Sequence, residues 1–188
     1  MKKTIYLIIL ILFISCDNGK KTDNQLAIEI KREAASANAQ KIMTEDFYYN
    51  VTDEFSPFGN DVGNDTFYLY REWRANNPDE DAKYFLNKTM KELNFSDFNL
   101  NTSSNDKQKL INDVDKMSNQ YIDLNWIDNT VISLAFTQLF LEGKVDKDVK
   151  ELAKLAIERE FLFVEFWKND ARIREERLYK LLDDLKKI

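Results

Sequence analysis

The chain has 188 residues, with 27 Lys and Arg against 33 Asp and Glu for a formal net charge of -6, no His, one Cys, two Pro and four Gly. No His-based acid–base pair, Cys–His dyad or Ser–His–Asp triad can form within it, nor can the common zinc sites, which draw on His or several Cys. A single Cys excludes an intrachain disulfide, and the acidic balance argues against nucleic acid as a partner, because phosphate backbones call for clustered positive charge.

Met1, Lys2 and Lys3 make a short basic start, and residues 5–14, IYLIILILFI, are ten consecutive apolar side chains ahead of Ser15 and Cys16. The run is half of the ~20 residues that a spanning helix needs. It matches the apolar core of an export leader. The tetrapeptide Phe13-Ile14-Ser15-Cys16 resembles the lipobox of bacterial lipoproteins, with Phe13 where Leu is usual. In that family the Cys is acylated, palmitate being one such group, and becomes the first residue of the mature chain. The resemblance implies a leader over 1–15, acylated Cys16 with a flexible tether over 16–24, a helical domain over 25–188, and a cell-envelope membrane as location. An ordinary export signal with a chance Cys, or an N-terminal helix packed into the body, are the alternatives. Acylation would remove a reactive thiol, and several acyl chains hold firmly where one holds marginally, at about 0.8 kcal/mol per buried methylene. Loss of Lys2 and Lys3 with the leader takes the net charge from -6 to -8.

The rest reads as all-α, a single compact domain of about six or seven helices with one ordered aromatic and acidic loop. Residues 25–44, rich in Ala, predict a helix with a thin apolar face. Residues 46–65 break the pattern: five aromatic residues, Phe47, Tyr48, Tyr49, Phe55 and Phe58, alternate with carboxylates around Pro57, Gly59 and Gly63. Pro57 holds Ser56 extended, and the glycines permit tight turns, so an ordered loop is expected with its rings packed inward. A helix over 65–76, capped by Asn64 or Asp65, comes next. Asn77, Pro78 and Glu80 then have the spacing of an N-cap, N1 and N3, predicting a helix to about 93. Residues 94–105 read as a loop and 106–121 as a helix. Residues 126–141 form the core helix, stopped by Gly143. Asp146 caps a helix that becomes apolar nearly all round at Phe161, Leu162, Phe163, Val164, Phe166 and Trp167, where it is either deeply packed or covered by a partner. The last helix spans 171–187.

Glu45-Asp46-Phe47-Tyr48-Tyr49, Asp53 through Asp61, Gly63-Asn64-Asp65 and Leu141 through Asp146 together resemble a family of uncharacterised bacterial proteins, some of whose members occur beside a WGR domain. The resemblance covers most of residues 40–160, and it implies no catalytic residue.

The best remaining chemistry is the loop set Asp53, Glu54, Phe55, Phe58, Asp61 and Asp65, as a partner-binding or divalent-metal surface. Its spacing fails the EF-hand pattern, because Asp65 stands where a Glu is needed when Gly59 is placed at position six. Turn and helix capping accounts for the same Asp and Asn residues. Trp73 between Arg71 and Arg74 suggests either a sugar or anion site or a packed indole with solvated arginines. Arg159, Arg172, Arg174 and Arg177, interleaved with Glu158, Glu160, Glu175 and Glu176, read as an ion-paired helix surface. No cofactor is expected. The readings that remain are a non-catalytic envelope lipoprotein binding a protein partner, an immunity-type inhibitor of a toxin at the membrane, and a carboxylate or metal-dependent enzyme.

Overall fold

The computed structural model describes residues 29–105 and 107–188. The leader, Cys16 and the tether lie outside the described residues. Among the described residues seven α-helices follow one another: α1 Ala37–Ile42, α2 Asp61–Asn76, α3 Ala82–Glu92, α4 Lys107–Val114, α5 Tyr121–Glu142, α6 Lys147–Phe161 and α7 Ala171–Lys186. Among the described residues there is no strand, and the all-α expectation holds.

Helix α5 is the axis. Every side chain from Ile127 to Phe140 is buried, so neighbours are needed on all its sides. Helices α2 and α6 pack along it, α7 lies on α6, and α1, α3 and α4 make smaller contacts. No described helix is long and apolar enough to cross a membrane. Gly143 stops α5 at φ 73, a left-handed conformation that strains L side chains. The segment around Ser36 then caps that end. The Ser36 N–H donates to the Phe140 carbonyl (2.7 Å), its hydroxyl to that of Leu139 (2.7 Å), and the Asn38 amide to that of Gly143 (2.7 Å). The terminal carbonyls of a long helix thereby find partners.

This capping explains the first correction. The helix expected over 25–44 is, in its described part, a 3-10 turn at Arg32–Ala34 and the short α1. Ala35 is extended (ψ 152), and Ser36 accepts the Ala39 N–H as N-cap of α1. The second correction concerns Asn77 and Pro78, which do not start a helix. Asn77 ends α2, and its amide donates to the Trp73 carbonyl (2.8 Å). Arg74 donates to the carbonyls of Asn77, Pro78 and Glu80, and so holds that turn open. Helix α3 starts at Ala82 instead, where Asp81 accepts the Lys83 N–H (2.7 Å) and Asp146 accepts the Ala82 N–H (3.2 Å). Asp146 still stands at the N-cap of α6, but its carboxylate serves its neighbour α3.

Two further boundaries move. Helix α4 ends at Val114, and Gln120 at φ 49 turns the chain so that α5 begins at Tyr121. Helix α6 ends at Phe161, the first residue of the apolar stretch, and does not run through it. A kinked 3-10 segment, Val164–Asp170, follows with Lys168 at φ 51; Phe163 is buried there and Phe166 exposed.

Helix α2 starts at Asp61, where the Asn60 side chain accepts the Gly63 N–H (2.8 Å). Gly63 thus sits in a helical first turn, and its reason is space: a Cβ there would lie 2.2 Å from the Pro57 carbonyl oxygen. Alanine gains about 1 kcal/mol over glycine by helix propensity, but a contact that short forces the backbone apart. We expect Gly63→Ala to unfold at lower urea than the parent. A midpoint equal to or above the parent's would contradict this close approach.

Candidate functional site

The loop that carried the predicted site residues turns its rings inward. Phe58 is fully buried against Phe67 (5.2 Å between centroids) and Phe140 (6.0 Å). Phe55 lies edge-on to Trp167 (4.9 Å). Buried Ser56 donates to the Tyr48 carbonyl and accepts the Phe58 N–H, both at 3.2 Å. Asp53 accepts the Phe55 N–H (3.0 Å) and faces the Arg177 guanidinium (3.4 Å). Glu54, Asp61 and Asp65 are exposed. Among the described residues no group of three or more His, Cys, Asp or Glu is placed to hold a metal ion. Trp73 packs on Phe85 (5.5 Å), and Arg74 beside it is no solvated arginine, since it binds the Tyr70 hydroxyl and Glu142 as well as the turn carbonyls.

Two of the four arginines expected on an ion-paired surface, Arg159 and Arg174, are among the most deeply buried charges of the described residues, whereas Arg172 is exposed and Arg177 half-buried. Asp128 on α5, Arg159 and Glu160 on α6, and Arg174 on α7 have side chains no more than 2% exposed. Arg159 forks onto Asp128 through Nε (3.0 Å) and Nη2 (2.5 Å). Its Nη1 donates to the carbonyls of Leu100 and Thr102 (2.9 Å each), and its guanidinium lies 5.4 Å from the Phe98 ring centroid. Arg174 donates to Glu160 (3.0 Å) and Asn129 (3.3 Å), and Glu160 also accepts from the Asn125 amide (3.2 Å). Two cations and two anions compensate one another, as buried charges must. Burial pushes the Asp128 carboxyl up, while Arg159 works against it. Of the original group, Arg172 does pair at the surface, with Glu176.

What this ionic core positions is the wall of a cleft. Residues drawn from 93–99 and from 113–126 line a cavity of about 660 Å³, within the ~300–1,000 Å³ of ligand sites. Phe95, Phe98, Met117 and Trp126 line it, with Asp97, Asp113, Asp123 and Lys116 among them. Arg159 reaches this lining at the Phe98 ring, and holds the chain just past it at the carbonyls of Leu100 and Thr102. Asp113 accepts from Lys109 and Lys116, and nearly buried Asp123 accepts the Asn119 N–H (2.9 Å). Asp97 is exposed, with no ion pair among the described residues. Trp126 is 46% exposed and Ile122, one turn earlier, 58%.

The sequence reading missed this face by placing Trp126 at the start of the core helix. The signal was present: Ile122 and Trp126 are four apart, so they share a face, while Leu124, Ile127 and Val131 define the buried one. No protein-family model, curated protein or solved structure matches the chain.

Proposed function

We propose that this chain is a non-catalytic lipoprotein of the bacterial cell envelope that binds a protein partner through the Trp126 face. The observation that carries the binding half is Trp126 itself, half in water beside exposed Ile122 at an open cleft. Tryptophan carries a large apolar area with one polar handle, and it is enriched among the few residues that dominate interface energies. The anchoring half rests on Lys2, Lys3, the ten-residue apolar run and Ser15 before Cys16. The net charge of -6 suits a basic partner. An immunity-type inhibitor is the form that this role takes where a basic toxin is encoded next door.

Intact mass of the membrane-extracted chain tests the anchor. It should show a lipid-modified chain beginning at Cys16, and Cys16→Ser should not be processed there. A free thiol, or a chain beginning elsewhere, would overturn the lipoprotein reading. A photo-crosslinking residue at position 122 tests the partner. One discrete envelope adduct is expected there and none from exposed Lys186; equal, diffuse labelling at both would refute this face.

A further inference from the structure

The cleft beside Trp126 has a chemistry of its own, and from it we infer that the group it receives is an arginine side chain on a loop of the protein partner. The inference rests on the partner-binding reading above and names what the partner inserts. Three observations converge. The charges lining the cleft are Asp97, Asp113 and Asp123 against Lys116, an excess of negative charge on a surface that also bears rings. Asp113 is already engaged by Lys109 and Lys116, and Asp123 by Asn119, which leaves the exposed Asp97 carboxylate as the acceptor for an incoming cation. Trp126 supplies an exposed indole on the same cleft.

Indole is the strongest aromatic partner for a cation, and guanidinium both stacks on rings and forks onto carboxylates. A lysine ammonium would meet ring and carboxylate only as a point charge, without stacking or forking. An aliphatic group would satisfy Trp126 alone and leave the carboxylates desolvated, which is unfavourable. Arginine answers both. The fold shows the same preference within itself: five of its arginines, Arg32, Arg71, Arg74, Arg159 and Arg177, lie within 5.5 Å of aromatic centroids. The cleft, at about 660 Å³, has room for the residues that flank the arginine as well.

Calorimetric titration of the full chain with a tetra-arginine peptide is the test, with tetra-lysine and tetra-glutamate as comparisons. Tetra-arginine should bind saturably and more tightly than tetra-lysine, and tetra-glutamate should not bind. Trp126→Ala and Asp97→Asn should each weaken tetra-arginine by at least fivefold. A distant Asp79→Asn/Glu80→Gln double variant, which lowers the overall negative charge without touching the cleft, should leave it within twofold. Equal weakening by all three variants would mean diffuse attraction to an acidic surface and would overturn the inference, as would the absence of binding or equal affinity for lysine. The two readings fail separately. A discrete adduct at position 122 with no arginine preference removes the arginine and keeps the partner face. Arginine binding without an adduct removes the partner face, and with it the partner loop as the source of the arginine, and keeps only the cleft's preference for guanidinium.

Discussion

Arg159→Met is expected to cost about 3 to 5 kcal/mol of stability, the range for removing one member of a buried ion pair. Its guanidinium makes bonds to Asp128 on α5 and to two carbonyls of the 94–105 loop. The substitution leaves Asp128 buried without its countercharge and both carbonyls without their donor. Urea melts at about pH 8, where the Asp128 carboxyl is ionised, measure the loss. The double variant Asp128→Leu/Arg159→Met should recover part of it, because the stranded carboxylate is gone, but not the share that belongs to the Leu100 and Thr102 carbonyls. A single variant within about 1 kcal/mol of the parent would contradict the clamp.

The same pair fixes a pH dependence. Burial raises the Asp128 carboxyl to about 7, with Glu160 adding to the rise and Arg159 and Arg174 opposing it. An unfolded Asp titrates near 4, so between about pH 4 and pH 7 the unfolded chain has released a proton that the native state retains. Stability due to this group is therefore full below about pH 4 and is lost as pH rises towards 7. Asp128→Asn removes the titration. The parent should lose stability relative to that variant across this window. Parallel profiles would mean that Arg159 keeps the carboxylate ionised throughout.

Phe58→Ala is the other large effect, expected at about 3 to 5 kcal/mol for an aromatic removed from a filled core. Phe58 is fully buried and joins the loop to α2 through Phe67 and to α5 through Phe140. Phe55→Ala should fall at the lower end of that range, because its ring neighbour Trp167 is only partly buried. It should also change Trp167 fluorescence, which Phe58→Ala should leave largely alone. Burial of such rings offsets the entropy of ordering a loop with a glycine at Gly59. Denaturant midpoints for both variants within about 0.5 kcal/mol of the parent would defeat inward packing.

What was legible in the chain follows from the range of each interaction. The helix count, the stop at Gly143 and the last helix rest on periodicity and local caps, signals confined to a few neighbouring residues. The Asn77-Pro78 start failed because a side chain outside the motif, Arg74, takes the carbonyls of the turn. The ionic core was invisible for a similar reason. Arg159 meets Asp128 31 positions away, and interleaved Arg and Glu look the same in sequence whether solvated or buried. The cleft was missed because Trp126 reads as apolar mass until the start of α5 shows which way it faces.

The capping of α5 by Ser36 and Asn38 has a mechanical consequence. A load drawn along the N-terminal segment reaches α5 at its Gly143 end, through bonds to the carbonyls of Leu139, Phe140 and Gly143. Trp126 lies thirteen residues back from Leu139, about 20 Å along the axis at 1.5 Å per residue. The cleft therefore stands outside the load path. Tension on that segment would be met first by buried Ile30 and the Arg32 bonds to Met43, Thr44 and Asp46, then by the three capping bonds at one end of the rod, while the grip at the other kept its shape.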